Sequence, residues 1–381
     1  MKFRFLSIAV FLVTTAFAQT SKQDSLRVAN RVMYNNSSNL TIGGYAQIDY
    51  NEPDGQTPGN LDVHRLVMLF GYKFNDKVSF LTEIEYEHVQ ELYVEQACVN
   101  YNVNSNFNIR GGLMLVPMGI INEYHEPPIF YGVERPQIDH DLVPTTWREL
   151  GIGVTGKFDN ISLRYQAYIF NGLISYKDGS GTLRGSDGLR KGRQKGAESI
   201  VNSPNLSMKF DYYGILGLKL GLAGYFGKTQ TDDTSIEGST VGISMVGLDA
   251  RYQYQNLELR GQYIFTSLSD TDAYNTLTGK DLGSKMNGYF AEIAYNIMPF
   301  IHKDTPKRLV IFSRYEQYNT QSETAGNLVA NKAYDRNNIT LGIDFNIATG
   351  VALKMDYQWF DNAIPNNDLK NQFNAGIGVM F

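Results

Sequence analysis

The final segment of the chain, residues 373–381, limits the fold more than any other segment. Its apolar side chains fall on one face of an extended strand, because successive side chains point to opposite sides. They are Phe373, Ala375, Ile377, Val379 and Phe381. The other face begins with Asn374, Gly376 and Gly378. A soluble sheet tolerates this alternation, whereas a barrel in a lipid bilayer requires it, with the apolar face toward lipid.

The composition excludes a membrane protein that is built from helices. The mean hydropathy is -0.29, and each spanning helix needs about 20 apolar residues. The one long apolar run, residues 5–13, follows Lys2 and Arg4 and precedes a site with small side chains. This order predicts a cleaved signal peptide over residues 1–18, and therefore export of the protein.

The exported part of the chain predicts one domain and few kinds of partner. Residues 19–39 are polar and predict a loosely held lead-in, whereas residues 40–381 predict a single barrel domain. The net charge of -5 argues against a nucleic-acid partner. The single cysteine, Cys98, excludes an intramolecular disulfide, and we expect it at an ordinary position in the barrel wall. No cofactor is expected.

Alternating segments run from residue 41 to the end and predict about sixteen transmembrane strands. Every second connection is a tight turn, with one exception between residues 296 and 309, and the intervening connections are longer and polar. This sorting is typical of outer-membrane barrels with short periplasmic turns and long extracellular loops. The predicted fold class is therefore all-β, an antiparallel transmembrane barrel with both termini on the short-turn side.

The charged side chains of these segments predict a wet interior. In residues 351–359, Lys354 and Asp356 face away from the apolar set that includes Leu353 and Trp359. A Lys or Arg on the lipid face costs about 2–4 kcal/mol at mid-bilayer, so the charged face is expected to line the interior. Cations and acids are nearly balanced on these faces, which predicts a wall of ion pairs. A barrel of about sixteen strands is wide enough to conduct solutes.

The third long connection, residues 116–150, differs from the others in composition. It is rich in proline and in large apolar side chains such as Ile129, Phe130, Tyr131 and Trp147. These side chains gain little from a loop that lies wholly in water, whereas a loop inside the barrel mouth buries them. We therefore expect the third loop to fold inward.

Several short motifs occur in order along the chain. They are residues 108–112 (NIRGG), 117–119 (PMG), 147–151 (WRELG), 171–172 (NG), 248–252 (LDARY), 291–296 (AEIAYN) and 314–316 (RYE). Together they resemble the phosphate-selective porin O/P family of Gram-negative outer membranes. The terminal Phe381 also resembles the signal that the barrel-assembly machinery recognises.

This resemblance implies a trimeric, passive channel of about sixteen strands that favours phosphate or polyphosphate and catalyses no reaction. It also implies contacts with outer-membrane lipid and lipopolysaccharide. The chain departs from the family at Leu115, because the family often has a lysine two residues before the Pro-x-Gly step. A general porin, or one selective for carboxylates or sugars, therefore stays open. A structural or adhesin barrel with a plugged lumen is a further alternative.

Cationic and aromatic side chains of two loops are the candidate solute contacts. We expect Arg135 and Arg148 of the third loop to form the constriction with Tyr124, beside Arg110 on the adjoining wall. The fourth long loop holds a cluster that we expect to steer anions. Its members are Arg184, Arg190, Lys191, Arg193 and Lys195. Such a cluster raises the local anion concentration, and arginine contacts phosphate through two parallel hydrogen bonds.

Both sets of cations also have a structural interpretation. The fourth-loop cations suit a solvated loop near lipopolysaccharide, although Asp187 is their only nearby acid. The third-loop arginines suit salt bridges that anchor the loop to Glu123, Glu126 or Glu149.

The third loop also holds potential metal ligands. They are His125, Glu126, Asp139, His140 and Asp141. Their spacing matches no closed zinc pattern, and ordinary loop polarity explains them equally well, so a metal site stays open. An enzyme in a barrel needs a Ser-His-acid arrangement. His64 lies near a strand middle but has no serine beside it in that strand, so no catalytic site is expected.

Overall fold

The computed structural model describes residues 28–34 and 38–381, which contain one closed barrel of sixteen antiparallel strands. Each strand is hydrogen-bonded to the next along the chain, and the last is bonded to the first. The strands are β1 Leu40–Pro53, β2 Asn60–Lys73, β3 Val78–Glu87, β4 Glu91–Asn104, β5 Phe107–Leu115, β6 Arg148–Phe158, β7 Leu163–Phe170, β8 Asn205–Ile215, β9 Leu218–Lys228, β10 Gly242–Tyr254, β11 Leu257–Ser269, β12 Lys285–Asn296, β13 Arg308–Glu323, β14 Asp335–Ala348, β15 Val351–Asn362 and β16 Gln372–Met380. The predicted fold class is confirmed.

The terminal strand closes the barrel. Ile48 of β1 lies opposite Ile377 of β16. At the rim, the backbone of Gly44 donates to the carbonyl of Phe381 at 3.1 Å and accepts from its N–H at 2.9 Å. Closure leaves no unpaired sheet edge, which is what a sheet in lipid requires, because lipid cannot satisfy backbone polar groups.

The strands alternate between an apolar outer face and a polar inner face. In β11, Leu259 and Tyr263 are exposed on the outside, whereas Arg260 and Gln262 between them are buried inside. This is the arrangement that the alternation predicts. The sequence predicts residues 309–318 for β13, but the strand continues to Glu323. The hydrogen-bond ladder continues through polar residues after the apolar alternation has ended.

The two rims of the barrel differ in their connections. Six tight turns lie at one rim, together with the predicted exception, residues 297–307; the tight turns are residues 74–77, 105–106, 159–162, 216–217, 255–256 and 349–350. The other rim carries residues 54–59, 88–90, 116–147, 171–204, 229–241, 270–284, 324–334 and 363–371. The connection of residues 88–90 is itself tight, so this rim is not uniformly long.

Four short α-helices accompany the strands in the described part of the chain. They are α1 Val28–Tyr34, α2 Ile138–Asp141, α3 Thr271–Thr278 and α4 Met298–Ile301. None of these helices is long and apolar enough to cross a bilayer.

Helix α1 packs on the inner wall near the tight-turn rim. Its buried Val28 and Val32 face Gly43 and Gly71, where an added Cβ would lie 2.6 and 2.5 Å from valine methyl groups. The sequence predicts a loosely held lead-in over residues 19–39, and the described part of this segment contains the helix. Its apolar residues, one turn apart, gain burial against a wall that two glycines leave open. The predicted signal peptide lies outside the described residues.

The third loop lies inside the barrel and contacts well-separated strands. On β11, the side chain of Gln262 accepts from the backbone N–H of Ile120 at 2.9 Å. On β15, Lys354 Nζ donates to the carbonyls of Pro127, Phe130 and Gly132 at 2.5, 2.6 and 2.9 Å. Ile120, Phe130 and the loop's Trp147 are all buried. The apolar side chains of the loop therefore form a core within a polar-walled barrel.

Candidate functional site

A cavity of about 510 Å³ lies where the third and fourth loops meet the wall formed by β2, β3 and β4. We name it the arginine cavity after the cations in its lining. They are Arg65, Arg135, Arg148, Arg190, Arg193 and Lys195. It thus brings together two of the predicted constriction residues and three of the predicted steering residues, although these are far apart in sequence.

Two of the fourth-loop arginines hold the two loops together. Arg190 Nη1 donates to the carbonyl of Thr145 at 2.6 Å. Arg193 Nη1 donates to the carbonyls of Pro144 and Thr146 at 3.1 and 3.2 Å. Because these bonds use guanidinium donors on backbone acceptors, Arg190 and Arg193 have a structural role at the cavity wall as well as a charge.

Arg148 and Lys195 share the ring of Tyr93. Lys195 Nζ lies 4.6 Å from the ring centroid, and the Arg148 guanidinium lies 5.6 Å from it. Arg148 is buried, and its Nη1 lies 3.5 Å from Glu95 Oε1. The predicted anchors Glu123, Glu126 and Glu149 are therefore not its ion-pair partners in the structure. A cation that lies over an aromatic ring is attracted to the ring face, and its N–H groups stay available to other acceptors.

Like charges crowd the cavity. Desolvation and the facing Arg65 lower the pKa of Arg135 to about 10. Desolvation, Arg190 and Arg148 lower the pKa of Arg193 to about 9. Both side chains stay protonated at neutral pH, so the cavity keeps its cations despite their repulsion. Arg135 Nη2 is also buried without a hydrogen-bond partner among the described residues.

Acids balance part of this charge. The lining contains Glu85, Glu87, Glu91, Glu134 and Asp139. Asp139 lies on α2 in the third loop, and burial raises its pKa to about 7, although a hydrogen bond from Gln262 at 2.9 Å opposes the shift. Near neutral pH, Asp139 is therefore partly protonated, and the cations outweigh the carboxylates.

The other predicted contacts lie outside this lining. Arg110 donates to Asn100 at 3.0 Å on the wall. Tyr124 accepts from Lys219 at 3.2 Å, in a different part of the lumen. Arg184 pairs with Asp187 at 2.8 Å, and Lys191 is exposed. The cavity accordingly divides the predicted cations into those that face a common space and those that do not.

Sequence reasoning missed Arg65, His64 and Tyr93 as members of this site. They lie on β2 and β4, and only the pairing of neighbouring strands in the barrel places them at the cavity. His64 Nδ1 lies 3.5 Å from Asp49, and its Nε2 lies 2.9 Å from Arg65 Nη2. These contacts make His64 part of a charged wall, with no serine among the contacts described for it.

Elsewhere the lumen wall contains ion pairs, as the balanced charges predict. Arg314 Nε lies 3.0 Å from Glu316, and Lys209 Nζ lies 3.1 Å from Glu123 of the third loop. All four side chains are buried. Such pairs keep the lumen polar while contributing little net charge.

No protein-family model matches the chain. A protein of Aquifex aeolicus (strain VF5), described as an uncharacterized protein, is 33% identical over 344 residues, and the match covers 85% of this chain and 76% of the relative. The chain belongs to the family of this Aquifex protein. The match extends over most of both chains, so it includes most of the barrel.

Solved structures share the architecture at low sequence identity. The outer-membrane channel DcaP of Acinetobacter baumannii has a TM-score of 0.60 at 11% identity, covering 90% of this chain and 97% of its own. The anion-selective porin from Comamonas acidovorans has a TM-score of 0.58 at 14% identity, covering 90% of this chain and 99% of its own. OmpT, an outer membrane protein of Vibrio cholerae, has 0.57 at 11%, with the same coverage. The chain therefore has the fold of outer-membrane porins.

Proposed function

We propose that the protein is a passive outer-membrane porin that conducts small hydrophilic solutes, with a preference for anions such as phosphate or polyphosphate. The observation that carries the proposal is the arginine cavity inside a porin-type barrel. In a passive pore, selectivity comes from width and from the charges that line the path. A cavity with crowded cations raises the local concentration of anions.

Two of the cavity cations are suited to solute contact. The ammonium of Lys195 rests on the ring of Tyr93, and Arg135 lines the cavity with no hydrogen bond described for its Nη2. A guanidinium fork matches two phosphate oxygens, whereas an ammonium acts as a point charge. Arg190 and Arg193 instead donate hydrogen bonds to backbone carbonyls of the third loop. They therefore contribute charge to the cavity more than direct contact with a solute.

We also propose the outer membrane as the location, with the long-loop rim outside the cell. The apolar outer face supports contact with lipid, and the long loops then face lipopolysaccharide. The exposed terminal Phe381 supports recognition by the barrel-assembly machinery. A homotrimer is part of the proposal. Chemical crosslinking in intact outer membranes tests the homotrimer, and crosslinked trimers are expected. Recovery of monomers alone contradicts it.

The alternative is a general porin, or one for carboxylates or sugars, without a phosphate preference. Leu115 favours it, because a buried apolar side chain lies where the resembled family often has a lysine. The arginine cavity suits carboxylates as well, since guanidinium binds both groups. The two proposals agree on an open, passive channel and differ in the solute.

Reconstitution in planar bilayers tests the proposal. We expect stepwise conductance, a reversal potential that indicates anion preference in a salt gradient, and reduced chloride current when phosphate is added. Anion preference without phosphate competition supports the carboxylate alternative. Cation preference contradicts the anion proposal, and absence of conductance indicates a plugged barrel. Steady phospholipid hydrolysis that His64→Ala abolishes would instead reveal an enzyme.

A further inference from the structure

We propose that Tyr45, Glu83, Glu95 and His125 bind a divalent transition-metal ion such as Zn²⁺. Tyr45, Glu83 and Glu95 project inward from β1, β3 and β4, and His125 comes from the third loop. We name these four side chains the histidine cluster. All four are buried, and the cluster lies outside the cavity lining. The proposal does not depend on conduction.

The donor atoms already have the spacing of a metal site. His125 Nε2 lies 3.3 Å from Glu95 Oε2 and 3.8 Å from Glu83 Oε1. Tyr45 Oη lies 2.9 Å from His125 Nε2, 2.9 Å from Glu83 Oε1 and 3.3 Å from Glu95 Oε2. Donors around a tetrahedral zinc ion, with bonds of about 2.0–2.1 Å, are about 3.3 Å apart. Only small side-chain movements are needed to enclose an ion.

The hydrogen bonds of the cluster lack a proton. His125 Nδ1 lies 3.1 Å from the carbonyl of Asn122, which only accepts, so Nδ1 carries the ring proton of neutral histidine. Nε2 then directs a lone pair toward the carboxylates. One hydroxyl proton, on Tyr45, faces three acceptors, so the cluster needs a further proton or a cation. It is a second ring proton on His125, a proton on one carboxyl group, or a metal ion.

Several features favour the metal ion. The backbone carbonyl of Asn122 fixes the histidine tautomer in the way that outer partners orient ligating histidines. Gln96 donates to the far oxygen of Glu83, and Arg148 lies 3.5 Å from the far oxygen of Glu95. These partners orient both carboxylates while leaving their near oxygens toward the cluster. Two carboxylates also match the charge of a divalent ion.

A β-bulge places Glu95 in the cluster. Glu83 pairs with Gln96 and Ile84 pairs with Val94, so Glu95 is an extra residue in β4. As a result, Glu95 and Gln96 are both buried on the inner side, although neighbours in a regular strand point to opposite sides. Bulges commonly re-aim a side chain beside a functional site. An ion at this position would tie the third loop to the wall formed by three strands.

Zinc binding by the purified, detergent-folded full chain tests the proposal. After chelator treatment, calorimetric titration with Zn²⁺ alone at pH 7.5 is expected to show one site per chain. His125→Ala and Glu95→Gln are expected to weaken binding by at least about tenfold. The matched control is His88→Ala, because His88 lies beside His64 with ring centroids 5.4 Å apart and offers the competing surface site. That variant is expected to bind zinc normally.

Three results would overturn the proposal. They are no zinc binding by the folded protein, unchanged binding in both cluster variants, and loss of binding in His88→Ala alone. If a cluster variant fails to fold, X-ray absorption of zinc-loaded wild-type protein decides the question. The expected shell has nitrogen and oxygen donors at about 2.0–2.2 Å. A shell of oxygen donors only contradicts ligation by His125.

Discussion

Lys195 and Lys191 provide a matched pair that tests whether the arginine cavity sets selectivity. Both lysines belong to the fourth loop and carry the same charge. Lys195 lines the cavity and lies over Tyr93, whereas Lys191 is exposed and lies outside the lining. We expect Lys195→Gln to reduce anion preference and Lys191→Gln to leave it nearly unchanged.

The size of the effect follows from the cavity dimensions. A sphere with the volume of this cavity has a radius of about 5 Å, so an ion at its centre lies about that far from Lys195. In water, one charge at this distance contributes about 0.7 kcal/mol in 0.01 M salt, or about a threefold change in local anion concentration. In 0.1 M salt, screening reduces this to about 0.5 kcal/mol, or about twofold.

The assay is the reversal potential of reconstituted channels in a salt gradient at these two ionic strengths. Lys195→Gln is expected to lower the anion-to-cation permeability ratio by at least the factors given, with the larger change in dilute salt. Equal effects of the two lysine variants would show that a charge anywhere on the fourth loop is sufficient to set the anion preference. No effect of Lys195→Gln would show that ions do not pass through the arginine cavity. Either result refutes the reasoning.

Further predictions concern the third loop. Trp147→Ala is expected to destabilise the folded protein by about 3–5 kcal/mol, because Trp147 is buried and its ring centroid lies 4.6 Å from that of Tyr225. Thermal unfolding measures the loss of stability. Lys354→Met removes the donor to three loop carbonyls and is expected to increase conductance fluctuations, which single-channel recordings detect. Since burial raises the pKa of Asp139 to about 7, its carboxylate gains a proton as the pH falls through that value. Anion preference should therefore increase from pH 8 to pH 6, and Asp139→Asn should reduce that dependence.

The comparison of β13 with β4 shows where strand prediction succeeds and where it fails. The alternation in β13 marks its lipid-facing part correctly, although the ladder continues to Glu323. In β4, a bulge puts Glu95 and Gln96 on the same side, and no pattern of apolar residues signals it. Alternation reports contact with lipid, whereas the exact register depends on pairing with neighbouring strands.

The candidate site was predictable only as separate parts. The sequence of the third and fourth loops identifies Arg135, Arg148 and Arg193 as candidate solute contacts. It does not show that Arg193 bonds to third-loop carbonyls, or that Lys195 and Arg148 share Tyr93. Contacts of this kind depend on loop paths, and those paths depend on packing inside the barrel.

The number of strands, the inward and outward faces and the sorting of connections were all present in the order of residues. Each is a local property, because a side chain's face depends on its position in its own strand, and lipid accepts only apolar faces. The arginine cavity and the histidine cluster arise only when the barrel closes. Closure brings β1, β3, β4 and two long loops within a few ångströms of one another, and these separations depend on the folded shape rather than on spacing along the chain.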